Sequence, residues 1–208
     1  EPKKVHIYDF KTKKNTFNSK NVCTTLTDDY DLNEYNYKKP KFSFFTSALN
    51  AGYNPDDGVI AGVTATYVKN GFNRNPFSAK HSLKANYMTG SEGYELEYEG
   101  LFPRIVGNWY YQFNTGFTSS RFIRNYFGQG NLSVNEIEKY GDDMYDEDFY
   151  RVRAKEFYAA PSLNWKKNSS HFQAKLIYEA LKIEKTADRR ISLPNIVDEN
   201  VFKTNHFE

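Results

Sequence analysis

The sequence predicts an all-β fold: about seven strands of an antiparallel up-and-down transmembrane β-barrel, forming the N-terminal half of a larger barrel. Three observations predict it. Polar and apolar residues alternate with a period of two from Phe42 onward. The alternating segments are long, and the two longest connections between them have the same parity along the chain. A tilted strand needs about 9 to 11 residues to cross a membrane, whereas globular strands have a mode of about 5 to 6.

Composition excludes several other classes. Mean hydropathy is -0.78, and no apolar window of the length that a membrane helix needs, about 20 residues, occurs anywhere. Transmembrane barrels are compatible with such hydropathy, since each strand contributes only about 10 residues of alternating polarity.

The net charge of +2 argues against a nucleic-acid partner. The single Cys23 excludes a disulfide framework. Aromatic residues make up 17% of the chain, which suits a membrane interface or a Tyr-rich soluble sandwich.

Two regions are predicted. Residues 1–41 contain nine lysines and one plausible strand at 5–10, and they are expected to form a lead-in or linker on the periplasmic side, ending near Pro40. Residues 42–208 are expected to form the first part of the barrel.

The predicted strands follow one another without a convincing helix, which favours an antiparallel meander. They cover residues 42–53, 58–69, 80–89, 93–102, 106–118, 148–165 and 171–184. The last segment also fits a helical period, through Leu176, Ile177, Ala180 and Leu181, but the strand pattern is favoured. Long external loops are expected near 119–147 and after 184, because barrels carry their long loops on the external side.

Charge orients the strands. Glu95, Glu97 and Glu99 alternate with Tyr94, Leu96 and Tyr98, and charged side chains at the middle of a bilayer are costly. The glutamates are therefore predicted to face a lumen, with an ion pair between Lys84 and Glu97. The predicted lumenal charge row comprises Lys84, Glu95, Glu97, Glu99, Arg151, Arg153 and Lys155.

The segment YNPDDGVIAG, residues 53–62, resembles the opening hairpin of the bacterial surface antigen (BamA/TamA-like) outer-membrane barrels. Tyr53, Pro55, Asp57 and Gly58 form its predicted structural turn. The segments GFNRNPFSAKHSLKANY (71–87), LFPRIVGNW (101–109) and NYFGQGN (125–131) resemble a branch in which the barrel follows a calcineurin-like metallophosphoesterase domain.

The resemblance covers about residues 40–184 and implies a sixteen-stranded barrel that inserts or translocates outer-membrane proteins. Two features of the family have no counterpart in these residues. The arginine-bearing loop motif (V/I-R-G-F/Y) and the later strands are missing, and so are the periplasmic repeats or phosphoesterase motifs ahead of residue 1. The rest of the barrel is expected to lie outside these residues.

The sequence predicts no catalytic, cofactor-binding or metal-binding residue, and so no enzyme in this region. His6, His81, His171 and His206 lack metal-ligand spacing. The acidic run GDDMYDED at 141–148 does not fit an EF-hand and is read as a solvated loop.

The expected function is therefore insertion or translocation of proteins at the outer membrane of a Gram-negative bacterium. Expected partners are membrane lipid, lipopolysaccharide, nascent outer-membrane proteins and other subunits of the outer-membrane machinery. Two alternatives stay open: a passive pore or membrane anchor for a fused phosphoesterase domain, and a soluble Tyr-rich β-sandwich that binds glycan. The sandwich would bury Tyr94, Tyr98 and Trp109 in a dry core.

Overall fold

A computed structural model describes residues 5–18, 21–33, 38, 41–71, 75–121, 123–127, 147–187 and 189–193. The described chain is all-β apart from one four-residue helix and two short 3-10 helices, Glu147–Tyr150 and Arg190–Ser192. No described helix is long and apolar enough to cross a membrane. The elements in chain order are β1 (Val5–Asp9), β2 (Val22–Leu26), α1 (Tyr30–Asn33), β3 (Phe44–Asn54), β4 (Gly58–Lys69), β5 (Ala79–Met88), β6 (Gly93–Val106), β7 (Trp109–Thr118), β8 (Ile123–Asn125), β9 (Arg151–Lys167), β10 (Ser170–Lys175) and β11 (Tyr178–Ile183).

The main sheet is an antiparallel meander, which confirms the predicted all-β antiparallel fold. Its strand order is β3-β4-β5-β6-β7-β9, and both β10 and β11 pair with the far side of β9. β8 pairs with the first residues of β9. Within the described residues the sheet remains open, with β3 at one edge and β10 and β11 at the other.

Several strand ends differ from their predicted bounds by one or two residues, and three places differ by more. β6 continues through a bulge between Phe102 and Val106, so the next turn lies at 107–108 and not between the predicted strands at 103–105. Residues 147–150 form a 3-10 helix, and β9 therefore begins at Arg151. The seventh segment is a strand, as predicted, but an interruption at residues 176–177 divides it into β10 and β11.

The lead-in contains one strand more than predicted. β1 and β2 pair in parallel from Val5 and Val22 to Asp9 and Leu26. The expectation of a single strand was wrong, because Val22–Leu26 also forms one. The segment is short, which made it hard to predict, but its β-branched residues favour extended backbone. Asp29 then forms an ion pair with Arg104, which places the lead-in at the β6–β7 turn. We call this the lead-in end of the sheet, and the opposite end the loop end.

The turn predicted from Tyr53, Pro55, Asp57 and Gly58 joins β3 to β4, with residues 55–57 between the strands. Gly58 has a φ of 73°, and a β-carbon there would lie 2.8 Å from the backbone nitrogen of Gly90. Asp57 is 1% exposed and accepts a hydrogen bond from Asn54 Nδ2 at 2.9 Å. Glycine is required because a left-handed backbone and a close neighbouring turn coincide.

The sheet curves strongly at its loop end. Three strands separate β4 from β9, so four strand spacings, about 19 Å, lie between them along the sheet. Nevertheless, Arg151 Nη2 on β9 lies 2.8 Å from Asp56 Oδ1 in the β3–β4 turn. Tyr150, Val152, Ala154 and Ile191 are buried near the start of β9, where the two 3-10 helices contact each other. The curvature makes one face of the sheet concave.

Candidate functional site: the two faces of the sheet

The concave face carries the charged side chains, and we call it the charged face. Cross-strand pairing aligns Lys84 with Glu97 and Asn86 with Glu95. Lys84 Nζ lies 3.0 Å from Glu97 Oε2 and 3.5 Å from Glu95 Oε2. Asn86 Nδ2 donates a hydrogen bond to Glu95 Oε2 at 3.0 Å. The predicted ion pair between Lys84 and Glu97 is therefore present, while its exposure to a lumen stays a prediction.

The register divides the predicted charge row. Glu97 pairs with Gly116, and Gly116 pairs with Tyr158, so the even-numbered residues of β9 share the face of Glu97. Lys155 lies on the opposite face, with its Nζ 5.2 Å from the ring centroid of Phe117. By alternation Arg153 accompanies Lys155. Arg151 has the same parity, and its side chain binds Asp56 in the β3–β4 turn. The prediction that Arg151, Arg153 and Lys155 extend the charge row of Glu97 was therefore wrong.

The error has a physical reason. In a strand, parity and not charge determines the face, and Arg153 and Lys155 share the odd parity of Phe157. Lys155 comes two residues before the apolar row that begins at Phe157, so it lies at the margin of that row. Arg151, at the first position of β9, is engaged by Asp56 at the loop end.

A cavity of about 680 Å³ lies against the charged face. Four carboxylates and two ammonium groups line it: Glu97, Glu99, Glu156, Glu179, Lys84 and Lys175. Glu156 also forms an ion pair with Arg124. Gln112 and Asn114 contribute uncharged polar groups from β7. The arrangement can hold water and polar or ionic solutes, and its carboxylates favour cations.

The opposite, convex face is aromatic and aliphatic, and we call it the aromatic face. On β6 it consists of Tyr94, Leu96 and Tyr98, which alternate with the glutamates. Large apolar side chains remain exposed on it, including Leu49 at 89% and Tyr94 at 46%. On the regular strands described, charged residues of this parity occur only at the margins: Lys69 and Lys167 at the lead-in end, and Arg151, Arg153, Lys155 and Lys182 at the loop end.

One polar cluster on the aromatic face was not predicted. His81 Nδ1 lies 2.8 Å from the hydroxyl of Tyr98. The His81 ring also contacts Tyr67, with centroids 6.5 Å apart, and Phe102, with centroids 5.5 Å apart. His81 shares its odd parity in β5 with Ala79 and Leu83, so the alternation alone was a signal that it lies on this face. The pair satisfies two polar groups on an otherwise apolar surface.

The described residues contain no group of three or more His, Cys, Asp or Glu side chains positioned to bind a metal ion. Cys23 is a free, partly buried thiol. Most of the acidic run at 141–148 and of the predicted loop at 119–147 lies outside the described residues, as does the segment from 194 to 208. The chemistry of the described site is thus that of a polar, charged surface.

Comparisons with known proteins do not identify a family: no family model, no curated protein and no solved structure matched the chain.

Proposed function

We propose that this chain is part of an outer-membrane β-barrel, with the aromatic face toward lipid and the charged face toward an aqueous lumen. The observation that carries the proposal is the division of side chains between the two faces of one sheet. The charged residues avoid the central part of the aromatic face, and the exposed large apolar residues concentrate there. A sheet in water would gain from the reverse arrangement.

The length of the apolar row fits a membrane. On β9 it runs from Phe157 to Trp165 without a charge. Its eight steps of about 3.3 Å give about 26 Å along the strand, or about 20 Å across a bilayer at a tilt near 40°. Lipid-facing bands of barrels are about 25 Å tall, so the row matches a band with its margins at the interfaces.

The soluble sandwich accounts less well for this surface. It requires a second layer to cover Tyr94, Tyr98 and Trp109, yet Tyr94 is 46% exposed. In the described part of the chain, the only other sheet is the short β1–β2 pair, and it lies at the lead-in end. A bilayer is the cover that a large, uncharged and curved face requires.

We further propose that the barrel acts on polypeptides through the edge of β3. This strand has 11 residues without a charged side chain, and its second edge is unpaired among the described residues. Soluble proteins usually protect such edges with charges, bulges or covering elements. An unprotected edge can bind an incoming extended segment by backbone hydrogen bonds, which agrees with the resemblance to the surface antigen barrels.

Membrane fractionation tests the first proposal. The full-length protein, isolated from its native cells, is expected in the outer-membrane fraction and to resist extraction with alkaline carbonate. Recovery in the soluble fraction without detergent would refute the barrel.

Photocrosslinking in intact cells tests the second proposal. A photoreactive amino acid at Leu49 on β3 is expected to crosslink to newly made outer-membrane polypeptides. The same amino acid at Val63, which faces Leu49 on β4, is the control and should crosslink to lipid only. Equal polypeptide crosslinking at both positions, or none at Leu49, would contradict a role for the edge.

A further inference from the structure

Three basic residues lie together at the loop-end margin of the aromatic face. Lys155 on β9 pairs directly with Lys182 on β11, so their side chains leave the same face at neighbouring positions. Arg153 precedes Lys155 by two residues and shares that face. All three residues are exposed. We call Arg153, Lys155 and Lys182 the basic margin.

Within the residues that the structure describes, the charges of the basic margin are not compensated. Like charges directly opposite each other on neighbouring strands are destabilising, and within the described residues none of the three has an ion-pair partner. Glu156 points to the charged face, where it binds Arg124. The backbone nitrogen of Glu184 donates to Arg153 O at 2.9 Å, but its carboxylate forms no ion pair with them. An external anion would supply the missing charge.

The surroundings define which anion. Lys155 Nζ lies 5.2 Å from the centroid of the Phe117 ring, and Phe157 and Tyr178 follow toward the middle of the face with centroids 6.2 Å apart. The ammonium groups therefore lie where an apolar aromatic surface ends. This geometry fits an amphiphile whose phosphate binds the lysines while its acyl chains lie on the aromatic rings.

We propose that the basic margin binds a phosphate group of a phosphorylated glycolipid in the outer leaflet. The inference rests on the proposed barrel, since the loop end is external only in that orientation. The other margin supports the assignment by contrast. There Lys69 pairs with Ala79 and Lys167 with Ser170, so neither lysine faces a second cation. On the aromatic face of the described strands, only the loop end has a paired basic site.

Retention of a defined glycolipid tests the proposal. The full-length protein would be reconstituted in nanodiscs of neutral phosphatidylcholine containing trace bisphosphorylated lipid A, and bound lipid A counted by native mass spectrometry. Lys155→Gln combined with Lys182→Gln should lower retention about tenfold or more, because two charge-assisted contacts to phosphate are lost. The matched control, Lys167→Gln, lies on the same strand and face at the other end and should retain lipid A within about twofold.

Further measurements distinguish lipid-borne phosphate from free phosphate. They also distinguish failure of the lipid site from failure of the barrel proposal. Dephosphorylated lipid A should bind the unmodified protein as weakly as the double variant binds lipid A. Displacement by inorganic phosphate at millimolar concentration would overturn a lipid ligand, and so would equal retention by the double variant. Fractionation of both variants is followed in parallel. Absence of the unmodified protein from the outer-membrane fraction would refute the barrel. Normal localisation of all proteins, with lipid A retention unchanged in the double variant, would refute only the lipid site.

Discussion

Successive residues of β6 alternate between the aromatic face and the charged face, and the two faces have different surroundings. Glu95 and Glu97 are held by Lys84 and Asn86, and Glu97 lines the cavity. Tyr94 and Leu96 lie on the opposite side without a covering layer among the described residues. A single strand thus presents one surface whose polar groups are paired and another whose large apolar side chains stay exposed within the described part of the chain. The difference favours the proposal that lipid covers the second surface.

The largest effect is expected from a charge at the middle of the aromatic face. Val63→Arg should lower the free energy of folding into lipid vesicles by about 2 to 4 kcal/mol, because the guanidinium would meet hydrocarbon. Thr64→Arg, one residue along on the charged face, is the control and should cost less than half as much. Urea titration in vesicles measures both, and equal costs would remove the distinction between the faces.

A smaller effect is expected in the β3–β4 turn, which sets the register of both faces. Gly58→Ala should destabilise the protein by about 1 to 3 kcal/mol, because a left-handed backbone is combined with a clash at Gly90. Gly107→Ala is the matched control: φ there is 53°, but no atom lies within 4 Å of the added carbon. Its cost should be about 1 kcal/mol. The two values come from the same unfolding titration, and a Gly107 cost equal to that of Gly58 would exclude the close turn packing as the cause.

The polar pair on the aromatic face should contribute about 1 kcal/mol. Tyr98→Phe removes the hydroxyl that lies 2.8 Å from His81 Nδ1 and leaves that nitrogen without this partner. Tyr94→Phe deletes a hydroxyl that has no hydrogen bond within the described residues, and it should change stability by less than about 0.5 kcal/mol. Thermal unfolding in lipid compares them, and identical midpoints would show that the pair is not stabilising.

The smallest effect is expected from the ion pair on the charged face. Lys84 and Glu97 side chains are each 37% exposed, so water screens their attraction. A double-mutant cycle with Lys84→Met and Glu97→Gln should give a coupling energy of about 0.2 to 1 kcal/mol. A coupling above about 2 kcal/mol would indicate that this face is dry and not solvated.

The sequence was sufficient for the strands and for most face assignments, because a period of two determines which residues share a face. It predicted the hairpin at Gly58 and the contact of Lys84 with Glu97. It failed where alternation is interrupted: the bulge after Phe102 moved the next turn, and the break after Lys175 divided the last strand. Arg153 and Lys155 share the odd parity of Phe157, so the alternation places them on the aromatic face, and the prediction failed because it followed their charge instead. The bend that joins Arg151 to Asp56 is a property of the whole sheet, which no local pattern contains.

The central claim is that the aromatic face meets lipid and the charged face meets water, and a spin-label scan tests it most directly. Single cysteines from Gly62 to Tyr67 on β4, in a Cys23→Ser background, would carry nitroxide labels in the full-length protein reconstituted in lipid. Accessibility to oxygen, which enters lipid, should peak at residues 63, 65 and 67. Accessibility to a water-soluble nickel chelate should peak at 62, 64 and 66. Oxygen and nickel profiles without this alternation, or chelate access at the odd-numbered positions, would contradict the account.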